Sequence, residues 1–204
     1  MSEYPISIDP AYEEPIMLLD LDGVLADFDT GFKALWEAYK GNDIPALEPA
    51  LRRHFRIVDD YPAHVQPEVE QVIQRSGFYA ALPPMPGAIE AVQHFTIEGY
   101  SLWICSSLPS GNNQAAADKL TWIRHHLGAS MLKRVIFTAD KTLIQAHLLI
   151  DDCPNVQGIR KPDWQQVLFN QPYNKLSSLP RINWNEEGLA YIHSILDQYH
   201  LRAL

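Results

Sequence analysis

The chain has 204 residues, with 25 Asp and Glu against 16 Lys and Arg, and a net charge of −9. That length suits one sizeable core with a small accessory domain, and 47% hydrophobic against 20% charged residues is ordinary for a soluble globular enzyme. The acidic balance argues against long nucleic-acid tracks, which select basic surfaces, but leaves room for a small anionic substrate neutralised by a metal.

Met1 to Glu14 reads as a loose, polar leader without the apolar segment of a signal peptide. No apolar run reaches the ~18 residues of a membrane span. Two cysteines, Cys105 and Cys153, suit a reducing cytoplasm rather than a disulfide framework. The expected location is therefore cytoplasmic, with no membrane partner.

Ile16 to Leu19 is an unbroken apolar run, as in a strand buried on both faces, and it ends in Asp20-Leu21-Asp22-Gly23. Phe32, Leu35, Trp36 and Tyr39 then fall at helical spacing up to Gly41. Asn42 to Ala63 is irregular, broken by Pro45, Pro49 and Pro62, and Val69, Val72 and Ile73 suggest a short helix before Gly77. Residues 30–84 thus read as a helical cap inserted after the first strand, leaving 1–29 and 85–204 as the core domain. Pro86 suits the first turn of a helix carrying Ala88, Ile89, Val92 and Phe95, which stops at Gly99.

From there strands and helices alternate. Tyr100–Cys105 is a strand, and Gln114–Leu127 a helix with Leu120, Ile123 and Leu127 inward. Arg134–Thr138 and His147–Asp151 are strands with a short turn or helix, Thr142–Ala146, between them, and Val167–Asn170 is a further strand. Asn183 and Glu186 resemble a capping box opening a last helix with Leu189, Ile192, Leu196 and Tyr199 on one stripe. The pattern predicts an α/β fold: a Rossmann-like parallel sheet with helices on both faces.

Parallel strands put their carboxyl ends on one edge, where open α/β sheets bind ligands. Asp20 and Asp22, Ser106 and Ser107, Lys141, and Asp151 and Asp152 all follow strands, so four strands deliver them to that edge. A turn with solvated aspartates explains D-x-D-G alone. An EF-hand is excluded by count, since its third ligand, glycine and glutamate positions hold Val24, Leu25 and Gly31. Carboxylates so close need a cation, a shared proton or an electrophile. The set suits phosphoryl transfer: Mg²⁺ among the carboxylates, Lys141 balancing charge, and Ser106 donating to a phosphate oxygen. An aspartate can serve as nucleophile, and Asp22 as acid and base.

In order and spacing, DLDGVLADF, PPMPGAIEAV, WICSS, ADKT, LLIDD and DWQQVLF resemble the haloacid dehalogenase-like phosphatases. More narrowly, they resemble the 5′(3′)-deoxyribonucleotidases, from about residue 15 to 185. The resemblance implies Asp20 as nucleophile and Asp22 as acid/base. It implies Mg²⁺ held by Asp20, the Asp22 carbonyl and the Asp151-Asp152 pair, with Asp152 the direct ligand. Ser106, Ser107 and Gly23 would border the phosphate, and Phe28, Phe55, Arg56 and Ile57 the nucleobase. The chain departs from the family pattern at Arg56, where an aromatic is common, and at Ser110 and Ala139, where basic residues are common. The expected substrate is a small phosphomonoester, a nucleoside or deoxyribonucleoside 5′-monophosphate, and a homodimer is left open.

Three rival functions fit parts of the pattern. A phospho-receiver domain carries its paired acids on the first strand, whereas here they come after the lysine. A phosphatase of sugar, amino-acid or lipid-precursor phosphates would keep the fold, although Phe28 and Phe55 favour a planar substrate. A non-catalytic nucleotide-binding protein has no need of Asp22. Elsewhere Trp36, Trp103 and Trp122 read as core, His125-His126 as a helix-end pair, and Arg52-Arg53 as a solvated face without a role.

Overall fold

The computed structural model describes residues 14–38 and 44–200. The leader expected over Met1–Glu14, Glu14 apart, and the helix end expected at Tyr39–Gly41 lie outside the described residues. Among the described residues six parallel strands form one sheet in the order β3-β2-β1-β4-β5-β6. They are β1 (Ile16–Leu19), β2 (Ser101–Ser106), β3 (Val135–Phe137), β4 (Leu148–Asp151), β5 (Gln165–Phe169) and β6 (Arg181–Ile182). The two-residue β6 carries too few residues for a periodicity and escapes the sequence reading. Among the described residues five helices accompany them: α1 (Phe28–Ala38), α2 (Gln66–Ile73), α3 (Ala88–Ile97), α4 (Ala115–Leu127) and α5 (Glu186–His200).

The apolar run of β1 is explained by its place between β2 and β4, with register pairs Leu18 to Trp103 and Leu18 to Leu149. Met17 and Leu19 enter the larger core, which residues of all five helices join, while Leu18 enters a second cluster with Cys105, Leu149 and Trp164. Segments between β3 and β5, through Ile144, Ala146 and Val156, contribute to that second face. The chain winds outward through β2 and β3, then returns to β4 beside β1. Ligands bind in open α/β sheets at such a reversal.

The two ends of the segment between β1 and α3 are paired with each other, while its apolar residues join the same core cluster as Met17 and Leu19. Asp27 N donates to Pro83 O at 2.8 Å, and Met85 N donates to Leu25 O at 2.8 Å. Between these paired stems lie α1, α2 and several 3-10 turns. Phe32 stacks on Trp36, Tyr61 packs edge-on to Phe32, and Trp36 Nε1 donates to Ile44 O at 2.9 Å.

Three local expectations change. Pro86 precedes α3, whose N-cap is Gly87 at φ +80°; a Cβ there would come 2.3 Å from Trp184 O. The cap of α5 is Asn185, whose Oδ1 accepts from Gly188 N at 2.9 Å; Asn183 is two residues too early. Leu120 is exposed, and the inward face of α4 is Ala115, Asp118, Lys119, Trp122 and Ile123. Among the described residues no helix is long and apolar enough to cross a membrane.

Candidate active site

The carboxyl ends of β1, β2 and β4 meet around a buried charge cluster. Asp20 N donates to Ile150 O at 2.9 Å, which sets the end of β1 against the end of β4. Carboxylate oxygens of Asp20, Asp151 and Asp152 all lie within 4.8 Å of one another. Each of the three is buried, at 8, 2 and 4% exposure respectively. Lys141, from the 3-10 turn after β3, reaches Asp20 Oδ1 at 2.9 Å and donates to Asp151 Oδ2. Burial alone would pull the Lys141 ammonium down, but the charges of Asp20 and Asp151 overcome it and hold it well above its ordinary value.

One lysine cannot balance three carboxylates. Burial pushes Asp151 up against the opposing charge of Lys141. Asp152 is pushed well above the usual carboxylate range, by burial first and then by the charges of Asp151 and Asp20. Its Oδ2 accepts from the Tyr173 hydroxyl, while Oδ1 is buried without a partner. An orphaned carboxylate oxygen beside two further carboxylates fits a hard, oxygen-seeking divalent cation such as Mg²⁺.

Asp22 stands apart from that trio. Its Oδ2 lies 2.7 Å from Lys119 Nζ, while Oδ1 is buried and unpaired. Burial raises the Asp22 carboxyl, and Lys119 works against the rise. Lys119 is 1% exposed and also donates to Ser106 Oγ at 3.0 Å and to Ser107 O at 2.6 Å. Its three ammonium protons are thereby used, and Ser106 keeps its own hydroxyl proton to donate.

Gly23 closes the turn after Asp22. It sits at φ +77°, and a Cβ there would come 2.5 Å from Asp152 Oδ2 and 3.1 Å from Tyr173 Oη. Glycine is needed here both for its conformation and for the close approach of Asp152. Gly23 O accepts from Gln171 Nε2 at 2.7 Å, tying this turn to the loop after β5. In that loop Asn174 Nδ2 donates to Asp152 O at 2.9 Å and to Phe169 O at 2.8 Å.

The residues expected to border a nucleobase occupy unlike environments. Phe28 is half-buried, edge-on to Phe78 with centroids 5.4 Å apart. Phe55 is 47% exposed and meets the Tyr173 ring edge-on at 5.9 Å. The Arg56 side chain is exposed, 3.9 Å from Glu70, whereas Ile57 is buried in the core. Ser110 and Ala139 lie exposed in the loops after β2 and β3.

Arg52 is a correction: it is buried, not solvated. It donates to Asp60 Oδ2 at 2.8 Å, to the carbonyls of His54 and Phe55 at 2.8 Å each, and to Asp29 Oδ1. Its guanidinium also lies 4.8 Å from the Tyr173 ring centroid. The inserted segment therefore touches the side chain that holds Asp152.

Lys119, Tyr173 and Arg52 are the residues the sequence reading missed. Lys119 left a signal, because Ala115, Asp118-Lys119 and Trp122-Ile123 have helical core spacing. A charged pair on a buried stripe needs partners: Asp118 Oδ2 accepts from Gly77 N at 2.8 Å, and Lys119 meets Asp22. Cys105 and Cys153 are free, and burial pushes both thiols up to about 11, so neither supplies a thiolate.

The family model for "5′ nucleotidase, deoxy (Pyrimidine), cytosolic type C protein" matches residues 14–194. A Bordetella bronchiseptica protein, "putative 5′(3′)-deoxyribonucleotidase", is 38% identical over 173 residues, covering 83% of this chain and 91% of that one. The human cytosolic-type 5′(3′)-deoxyribonucleotidase is 33% identical over 171 residues, covering 80% and 84%. In fold, a haloacid dehalogenase (HAD) family hydrolase from Deinococcus radiodurans with bound phosphate and sodium superposes with a TM-score of 0.56. It is 14% identical, and the match covers 93% of this chain and 98% of that one. With a family match over nearly its whole length, on a parallel sheet that shares the fold of the haloacid dehalogenase family hydrolase, the chain belongs to the 5′(3′)-deoxyribonucleotidases.

Proposed function

We propose that the protein is a Mg²⁺-dependent phosphomonoesterase that hydrolyses deoxyribonucleoside 5′-monophosphates to nucleoside and phosphate. The observation that carries this reading is the cluster of Asp20, Asp151 and Asp152 within 4.8 Å, facing Lys141 and leaving Asp152 Oδ1 unpaired. Asp20 and Asp152 would hold the metal, and Asp151 would orient Lys141. Bound there, Mg²⁺ supplies positive charge to the phosphate oxygens.

The Asp20 carboxylate attacks phosphorus, the ester bond breaks, and an aspartyl-phosphate forms. Asp22 gives its proton to the departing nucleoside oxygen. Its carboxyl is suited to hold a proton, because burial raises it despite Lys119. As carboxylate, Asp22 then takes a proton from water, whose oxygen displaces Asp20 and releases phosphate. Ser106 and the turn at Gly23 bind phosphate oxygens, while Phe28, Phe55 and Arg56 border the nucleoside.

The test is phosphate release with Mg²⁺ from ribo- and deoxyribonucleoside 5′- and 3′-monophosphates, with sugar phosphates and p-nitrophenyl phosphate alongside. A preference for deoxyribonucleoside monophosphates supports the reading. Equal turnover of the aryl phosphate and every nucleotide would retain a phosphatase but reject the nucleotidase.

A further inference from the structure

Two histidines and a glutamate away from the active site converge as metal ligands do. His94 lies on α3, Glu98 caps its end one turn later, and His193 faces both from α5. His94 Nε2 and His193 Nε2 are 3.0 Å apart. Glu98 Oε2 is 3.1 Å from His193 Nε2, and Glu98 Oε1 is 3.5 Å from His94 Nε2. Tetrahedral zinc with bonds of roughly 2.0–2.1 Å places neighbouring donor atoms about 3.3 Å apart. The two imidazole nitrogens stand near that separation, each with a different Glu98 oxygen within 3.5 Å, and one donor atom from each residue lies within 4.8 Å of the other two.

Proton bookkeeping points the same way. Two facing imidazole nitrogens share one proton unless a ring is charged, and a carboxylate beside them needs another. A divalent cation replaces those protons and satisfies all three donors at once. The support behind the ligands is also present. Tyr100 Oη lies 3.2 Å from His193 Nδ1. When Nδ1–H donates to the Tyr100 oxygen, His193 Nε2 is the lone-pair nitrogen facing His94 and Glu98. Phe95, 1% exposed, packs against both imidazoles at 5.2 and 5.1 Å and limits their rotation.

The place is accessible and separate. The side chains of His94, Glu98 and His193 are 40, 37 and 26% exposed, which leaves an entry path and room for a water ligand. From α3 the chain passes through Gly99 and Tyr100 into the amino end of β2, so the cluster lies toward the sheet edge opposite Asp20. Nitrogen donors here and carboxylates there also select different ions. We propose that His94, Glu98 and His193 form a second metal site, for a borderline divalent cation of the Zn²⁺ class, clasping α3 to α5 with a fourth position open to water.

The experiment is equilibrium dialysis of the full chain with Zn²⁺, and Co²⁺ absorption spectroscopy, both in excess Mg²⁺. One Zn²⁺ per chain, a tetrahedral Co²⁺ spectrum and a higher Tm with Zn²⁺ are expected. His94→Gln or His193→Gln should abolish the Co²⁺ spectrum, and Tyr100→Phe should weaken binding by roughly 10–100-fold. Asp152→Asn should leave the Co²⁺ spectrum in place. Circular dichroism and Mg²⁺-dependent phosphate release verify that each histidine variant is folded. Glu98→Gln, at an exposed helix end, provides a variant independent of the packed rings and should also weaken Co²⁺ binding. Absence of binding to the wild type, or an unchanged spectrum in the folded histidine variants, overturns the proposal.

Discussion

Lys119 Nζ lies 2.7 Å from Asp22 Oδ2, and the lysine side chain is 1% exposed. A cation arriving from the α4 face thus opposes the rise that burial imposes on the Asp22 carboxyl. The same ammonium holds Ser106 Oγ and Ser107 O, so one side chain fixes both the expected acid and the expected phosphate donor.

Lys119→Met should therefore disturb chemistry more than substrate affinity. Without the ammonium, Asp22 holds its proton to higher pH, and the step needing its carboxylate is lost. We expect kcat to fall by about 10²–10³-fold, with the acidic limb of the pH–rate profile displaced upward. An unchanged profile would show that Lys119 does not tune Asp22.

Tyr173→Phe removes the donor to Asp152 Oδ2. That hydrogen bond favours the carboxylate, so its loss raises Asp152 further and weakens its grip on a cation. The expected change is a ~10–100-fold higher Mg²⁺ concentration for half-maximal activity, with kcat at saturating Mg²⁺ largely kept. Mg²⁺ titration of phosphate release checks it.

Asp29 carries a stability signature. Burial lifts its carboxyl from 3.8 to about 6, with Arg52 opposing. A carboxyl higher in the folded than in the unfolded chain contributes stability fully below the unfolded value, and that contribution is lost as pH rises through about 6. The loss is on the order of 3 kcal/mol at ~1.4 kcal/mol per pH unit. Asp29→Asn should lack this decline between pH 4 and pH 6 when urea unfolding is compared with wild type. Arg52→Met should carry the decline to still higher pH and cost about 3–5 kcal/mol near neutrality, because it strands Asp29 and Asp60.

Asp20→Asn should abolish phosphate release while the far-ultraviolet circular dichroism stays native. EDTA should likewise stop the wild type, and added Mg²⁺ should restore it. Metal-free activity, or substantial turnover by the asparagine variant, would remove the proposed chemistry.

The core was legible because its signals are local. The apolar run from Ile16 to Leu19 needs burial on both faces, and β1 is the strand between β2 and β4. Once strands alternate with crossovers, groups following them must share an edge, which brought Asp20, Asp151 and Lys141 together on paper as in the fold. Leu120 shows the limit. A leucine on a predicted helix was assigned inward, but the helix rotates to bury Asp118 and Lys119, whose partners Gly77 and Asp22 are far away in sequence.

The sequence by itself determined the parallel sheet's first five strands, its acidic edge and the family, since these rest on apolar periodicity and on motifs at strand ends. Only the tertiary structure decided where Arg52, Lys119 and Tyr173 belong. Each is a polar residue whose cost of burial is offset by a partner 20 or more positions distant, and no local pattern encodes such a pairing. The meeting of His94 and Glu98 with His193 is of the same kind, for it depends on how α3 and α5 pack across 99 residues of chain.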